Sequence, residues 1–466
     1  MSVLWTAADA AAATGGTNTG AWSAQGISID SRSLSPGDLF IALKGPKYDA
    51  HEFAGDAFAK GAAAAMVAKT VTGAAKPLLV VGDTQTGLED LGRAARARTG
   101  AKVIGVTGSV GKTGTKEALR HALERQGATH ASAGSLNNQW GVPLSLARMP
   151  RETAYGVFEM GMNHPGEIDG LTRLVRPDVA VITTVESAHL GFFPSVEAIA
   201  DAKAEIFNGM DARGSAVLNR DNPHFDRLAA RAKAAGVGRV VDFGAHADAA
   251  VHLIDCHLHA SASAVTASVL GEIVDYCLAL PGRHWVMNSL AVLAAVHAAG
   301  GDIGTAAATM ATLEPMAARG LRRRIAVASG EALLIDESYN ASPASMRAAI
   351  AVLGAARPGN SGRRVAVLGD MLELGADAAR LHAELADPLR DANIDLVFTV
   401  GEAMRALYDV LPARRRGAHA TTAAAMADAI VHRLKNGDVV MVKGSYGSRM
   451  RDVIARLSTA PETARH

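Results

Sequence analysis

Residues 103–117 read VIGVTGSVGKTGTKE, and this stretch organises the rest of the chain. Val103-Ile104-Gly105-Val106 is an apolar run of strand type. A glycine-rich turn follows through Gly108, Ser109, Val110, Gly111, Lys112, Thr113 and Gly114. Residues 116–126 predict a helix with Ala118, Leu119, Ala122 and Leu123 on one side. A strand, a glycine turn and a helix N-terminus make an anion cradle, because first-turn amides lack partners and the helix dipole favours negative charge. In such a cradle Lys112 reaches the β- and γ-phosphates of a nucleotide, and the Thr113 hydroxyl serves Mg²⁺. The general pattern G-x4-G-K-[ST] is not met to the letter, since Val106 stands where its first glycine falls. A chance Gly-Lys-Thr in a loop is the competing explanation, and the strand before it and the helix after it argue against that.

Apolar runs continue outward from this stretch. Runs at 156–159, 179–184, 215–219 and 239–243 alternate with helical patterns, which predicts a doubly wound parallel sheet with ligands at the carboxyl ends of its strands. The period then changes, and 252–258, 264–270 and 273–280 predict an antiparallel patch. Residues 286–299 return to helix. Four further apolar runs, at 333–336, 364–368, 396–400 and 439–442, predict a second, Rossmann-like α/β unit. Before the phosphate loop, short strands at 26–30, 38–43, 62–68 and 77–81 with a helix at 48–60 predict a smaller α/β unit. The expected fold class is therefore α/β in three domains, at 1–84, 85–313 and 314–466.

Bulk properties exclude several function classes. The 466 residues suit about three domains. The net charge of +1, from 47 basic and 46 acidic residues, leaves no footprint for nucleic acid or an anionic membrane. The 49% hydrophobic content leans on alanine, and no uninterrupted apolar run of about 18 residues occurs. The N-terminal stretch lacks a basic region and predicts a helix rather than a signal peptide. Two cysteines, Cys256 and Cys277, cannot build a disulfide framework and fit a reduced, cytoplasmic protein.

Several constellations carry chemistry. Glu159 closes one strand of the central unit and His189 follows another, so a carboxylate and an imidazole could hold divalent ions against nucleotide oxygens; a surface carboxylate and a satisfied loop histidine are the plainer readings. Lys203 stands in the helical run Ala202-Lys203-Ala204-Glu205-Ile206, where a solvated lysine is the ordinary outcome. Asn137 and Asn138 form a polar turn that says little by itself. Asp30-Ser31-Arg32 ends a strand and could meet a diphosphate or a sugar, or be only a local ion pair. Asp336 to Pro343, DESYNASP, closes a strand of the third unit and could meet ribose, adenine or Mg²⁺, or simply cap a helix. Lys443 ends a neighbouring strand.

Taken together the chain resembles the Mur ligases over nearly its whole length. The resemblance rests on DSRSLSPGDLFIALKG at 30–45, TGSVGKTGTKE at 107–117, LNNQWGVP at 136–143, EMGMNHPGEI at 159–168, AHLGFF at 188–193, AKAEIF at 202–207 and PGRHWVMN at 281–288. DESYNASPASM at 336–346, GDMLELG at 369–375 and VKGS at 442–445 complete it, and the first two of these point to the branch that adds D-alanyl-D-alanine. The resemblance implies a UDP-substrate domain, a central ATPase domain and a C-terminal lid. It implies that Lys112 and Thr113 serve ATP and Mg²⁺, that Glu159 and His189 are metal ligands, and that Lys203 acts as a carbamate. It implies adenine and ribose contacts from Asn288, Arg319, Asp336 and Tyr339, a UDP site including Ser31 and Arg32, and Asn137 and Asn138 near the substrate. The pattern differs at Gly114, where a second hydroxyl is common, and at Trp285, where an asparagine is common. It differs also at Gly191, Glu337 and Tyr446-Gly447.

The implied reaction is ATP-driven amide formation between UDP-N-acetylmuramoyl-tripeptide and D-alanyl-D-alanine through an acyl phosphate, carried out by a monomer in the cytoplasm. The alternatives are another Mur-type or folylpolyglutamate-type ligase, a nucleotide-gated binding protein, and a small-molecule kinase.

Overall fold

The computed structural model describes residues 3–69, 71, 76–187 and 190–459. Three large sheets follow one another along the chain. The first has five strands in the order Thr17–Asn18, Leu78–Val80, Ala64–Val67, Asp38–Ile41, Gly26–Ser28. All its pairings are parallel except that of the short edge strand Thr17–Asn18. A further short pair, Trp5–Thr6 with Ser23–Ala24, brackets the first helix, Ala7–Thr14, and the Thr6 hydroxyl caps that helix by accepting from the Asp9 amide.

The central sheet has nine strands. Lys102–Thr107 lies inside it, between Tyr155–Glu159 and Val179–Ile182, and pairs parallel with both. Ser215–Asn219 and Arg239–Gly244 extend it in parallel. The predicted antiparallel patch is the continuation of the same sheet: Val251–Leu258 joins Arg239–Gly244 in parallel, and Ser263–Val269 and Glu272–Leu278 then reverse. Both faces are covered, as a parallel sheet requires. One face packs Val106 and Val181 against Leu119 of the helix Lys112–Leu123 and Leu290 of the helix Arg283–Ala298. The other packs Phe158, Ile182, Ile206 and Phe207.

The third sheet runs Leu321–Val327, Gly330–Glu337, Val439–Lys443, Arg364–Gly369, Leu396–Val400, Arg416–Ala420. Only its first pairing is antiparallel. Leu353 and Leu389 lie in the core on one face, Val453 and Ile430 in the core on the other.

The sequence reading misses six strands, of which Trp5–Thr6, Thr17–Asn18 and Ser23–Ala24 are only two residues long. Thr129–Ala131 is three residues long, Leu321–Val327 carries three consecutive arginines, and Arg416–Ala420 is polar and only partly buried. Each lies at a sheet edge, where the pairing strand and not an apolar run decides the conformation. The phosphate-loop helix also begins earlier than residue 116, at Lys112. Gly111 at φ 87 turns the chain directly into the first helical turn, so the residues that read as loop are already helical. The predicted helix at 48–60 divides into a 3-10 turn, Ala50–Phe53, and an α-helix, Ala54–Ala59. Among the described residues, no helix is long and apolar enough to cross a membrane.

Candidate functional site

Sheet register builds the site. Glu159 pairs with Val106 and Ile182 with Thr107, so the carboxyl ends of three adjacent strands open together where the phosphate loop begins. The loop is held from outside by Thr183, whose hydroxyl donates to the Val110 carbonyl at 2.6 Å. Ser109 bonds to the same neighbour: its amide donates to Thr184 and its hydroxyl to the Glu186 carbonyl. These contacts require the glycines. A Cβ at Gly108 (φ +148) would lie 1.9 Å from the Thr183 hydroxyl, and one at Gly111 would lie 3.0 Å from the Asn288 side-chain oxygen.

The helix Lys112–Leu123 starts with no side-chain cap and no acidic residue in its first turn. Its positive end is therefore left for an external anion. The Lys112 ammonium folds back onto the Gly108 carbonyl at 2.6 Å. Burial pushes its pKa down, Glu159 pulls it up, and Arg319 pushes it down again, so all three groups share one electrostatic neighbourhood. Thr113 is buried beside it.

Glu159 is 1% exposed. Its Oε1 accepts from the Asn137 amide at 2.7 Å, whereas its Oε2 is buried with no partner. A buried carboxylate oxygen with no partner is costly, and a divalent cation at that oxygen satisfies it. The oxygen chemistry of Glu159 and Thr113 suits Mg²⁺, so these residues fit the metal implied by the sequence. His189, the other expected ligand, lies outside the described residues. Lys203 is 2% exposed, and burial together with the nearby Lys112 charge pushes its pKa well below the usual lysine range. A buried amine held toward its neutral form is a nucleophile rather than a surface charge.

Asn138 is committed locally: its side-chain oxygen accepts from the Trp140 and Gly141 amides and starts the helix Gly141–Ala147. Ser31 and Arg32 follow the strand Gly26–Ser28 of the first sheet. There the Arg32 guanidinium pairs with Asp30 at 2.7 Å and is exposed.

The third sheet closes toward the central one. The Arg319 guanidinium lies 3.9 Å over the Tyr339 ring, a cation–π contact. The Tyr339 hydroxyl contacts the Ser135 hydroxyl of the central unit. The Gly191 amide donates to the Glu373 carbonyl, and Arg322 donates to the Ala260 carbonyl. Asp336 is 6% exposed and accepts from the Ser338 amide and hydroxyl. Lys443 donates to the Asn340 carbonyl at 2.9 Å and faces Glu337 at 3.5 Å. A narrow cleft between the two sheets is lined by His284, Trp285, Arg319, Arg322 and Glu337. A larger concavity, about 360 Å³, lies on the outer hairpin around Cys256, Thr266 and Cys277; the polar convergence at the phosphate loop and not volume identifies the site.

Sequence reasoning missed Lys116, Ser132 and Thr183. Lys116 carries one readable signal, its place one helical turn beyond Lys112. Ser132 and Thr183 carry none, because their roles come from strands brought alongside the loop.

Residues 23–103 match the Mur ligase family catalytic domain, 106–296 the Mur ligase middle domain, and 305–446 the Mur ligase glutamate ligase domain. The UDP-N-acetylmuramoyl-tripeptide–D-alanyl-D-alanine ligase of Escherichia coli is 36% identical over 437 residues, covering 92% of this chain and 93% of the relative. The ligase of the same name from Bacillus subtilis is 34% identical over 445 residues, covering 94% and 93%. A crystal structure of MurF from Acinetobacter baumannii superposes with a TM-score of 0.85 at 30% identity, covering 98% of this chain and 99% of that one. MurF ligase from Thermotoga maritima, solved in complex with ADP, superposes with a TM-score of 0.76 at 26% identity, covering 93% and 97%.

Proposed function

Since the chain belongs to the Mur ligase family, we propose that it joins D-alanyl-D-alanine to UDP-N-acetylmuramoyl-tripeptide at the expense of ATP, in peptidoglycan precursor synthesis. The relatives that bear this activity in their names run nearly the full length of the chain. The single observation that carries the reading is Glu159, buried at the strand end beside the phosphate loop with one oxygen fixed by Asn137 and the other free.

The chemistry has two steps. A carboxylate oxygen of the tripeptide bonds to the γ-phosphorus of ATP and ADP leaves, giving an acyl phosphate. The dipeptide ammonium first gives up a proton; the resulting amine bonds to the acyl carbon, the nitrogen releases a second proton, and inorganic phosphate leaves with the electron pair of the C–O bond. The first step brings two anions together. Lys112 and the uncapped amides of its helix neutralise the phosphates, the largest electrostatic requirement of phosphoryl transfer. Glu159 and Thr113, with His189 as the resemblance implies, would hold Mg²⁺, which when bound would supply further charge neutralisation. Lys203, in its carbamate form, adds an anion on the metal side. Arg319, Asn288, Asp336 and Tyr339 hold the nucleoside, and Ser31 and Arg32 take the UDP end.

The units at 1–84, 85–313 and 314–466 divide this work among substrate docking, ATP chemistry and closure. Acyl phosphates hydrolyse in water, so contacts such as Ser135 with Tyr339 and Gly191 with Glu373 have a chemical purpose in sealing the cleft. Phosphate release from ATP tests the proposal. Release that needs both the UDP-muramoyl tripeptide and D-alanyl-D-alanine is expected; release indifferent to the dipeptide refutes it.

A further inference from the structure

Lys116 lies one turn beyond Lys112 on the phosphate-loop helix, and its side chain is wholly buried. Its ammonium has a full set of three short contacts: the Ser132 carbonyl at 2.6 Å, the Gly134 carbonyl at 2.7 Å and Glu117 Oε1 at 2.6 Å. Burying a lysine is costly unless every donor is used, and here two of the three acceptors are backbone carbonyls of a single loop.

That loop, residues 132–137, leads from the edge strand Thr129–Ala131 to Glu159. The Ser132 hydroxyl accepts from the Glu159 amide at 3.2 Å. Ser135 touches Tyr339 of the third sheet. Asn137 donates its side-chain amide to Glu159 Oε1, and its carbonyl accepts from Gly161 at 2.8 Å. Gly134 turns the loop at φ 52. Within the stretch from 133 to 136 the backbone has one internal bond, from the Leu136 amide to the Ala133 carbonyl, and the Leu136 side chain packs against the core of the first unit. The Lys116 ammonium therefore ties the base of the loop to the phosphate-binding helix.

We propose that Lys116 is a positioning residue: by clamping the Ser132 and Gly134 carbonyls it sets Asn137 against Glu159 Oε1, and so leaves Oε2 aimed at the metal beside the phosphate loop. The clamp couples two halves of one site. Lys112 and Lys116 move as one rigid helix, so the lysine that grips the phosphates and the carboxylate that grips the cation keep a fixed separation. The inference rests on the metal role proposed above for Glu159. It adds a residue that touches neither nucleotide nor metal.

The test reads binding rather than turnover: Mn²⁺ titrated into the full-length protein with ADP, followed by the loss of the free-ion EPR signal. Lys116→Met is expected to weaken Mn²⁺ binding ~10-fold while metal-free ADP binding stays within about 2-fold, the range typical of removing a support behind a metal ligand. Asn137→Ala is expected to do the same. The double variant is expected to bind no more weakly than either single one, because both act through one chain of contacts. Wild-type Mn²⁺ affinity in Lys116→Met, or a double effect near the product of the singles, overturns the proposal. If Lys116→Met unfolds, Lys116→Gln, which keeps two N–H donors but not the charge or the reach, takes its place with the same expected direction. Glu159→Gln separates the two levels. Undiminished Mn²⁺ binding there refutes the metal role of Glu159 itself, whereas a loss there beside an unaffected Lys116→Met refutes only the clamp.

Discussion

The Trp285 indole lies across Gly114: a Cβ on Gly114 would stand 2.7 Å from the outer edge of the ring. Gly114 and Trp285, 171 residues apart in the chain, thus meet in one contact. Trp285 fills space that a hydroxyl side chain at 114 would need. Gly114→Ser should therefore destabilise the protein by ~1–3 kcal/mol, the usual cost of overpacking. Trp285→Asn in the same chain should recover most of it, since the crowded atoms are gone. Denaturant unfolding of the two singles and the double checks this; additive losses would show that the residues do not compete for space.

Lys112→Ala should lower turnover by about 10²–10³-fold or more, the scale of losing one preorganised charge at a developing phosphate anion. Stability should hold or rise, because burial disfavours this ammonium in the folded state. Rates of substrate-dependent phosphate release, read beside a thermal melt, separate the two effects.

Gly108→Ala confronts both a left-handed backbone and a hydroxyl 1.9 Å from the new carbon. A loss of about 2–4 kcal/mol is expected, combining backbone strain with a clash against buried structure. Nucleotide affinity should fall with it, since the loop must move away from Thr183. Unfolding midpoints and ADP titration provide the measurement.

His284 gives the fold a pH dependence. Burial, with the Lys443 ammonium adding to it, pulls its pKa from the ordinary 6.5 down to about 4. Between those values the unfolded chain holds a proton that the folded chain refuses. Stability from this group is therefore complete above about pH 6.5, drains as pH falls, and flattens below about pH 4. The total is at most ~3.5 kcal/mol at about 1.4 kcal/mol per pH unit. His284→Gln should flatten the urea midpoint across that window relative to the parent protein.

The legible parts of the fold were those with a strong local signature. The run 103–106 read as a strand and the glycine turn after it as the lead into a helix, although that helix opens at Lys112 and not at 116. Alternation of apolar runs gave the parallel sheets. What escaped were edge strands such as Leu321–Val327, whose three arginines carry no apolar period. Residue by residue, the site was less legible than the fold. Glu159 stood out as a strand-end carboxylate, but Asn137 and Lys116 looked like ordinary polar residues, since their partners are 22 residues or 16 and 18 residues away.

Sequence alone pointed to an anion cradle at the glycine turn, because glycine spacing, a lysine and a hydroxyl in fixed order are properties of a continuous chain, and the resemblance spread along the whole chain pointed to the Mur ligases. Tertiary structure decided which oxygen of Glu159 is free, why Gly114 has no side chain, and how the third sheet reaches the loop through Tyr339 and Arg319. These are distances between segments far apart in the chain, set by sheet register and helix packing, and no local pattern encodes them.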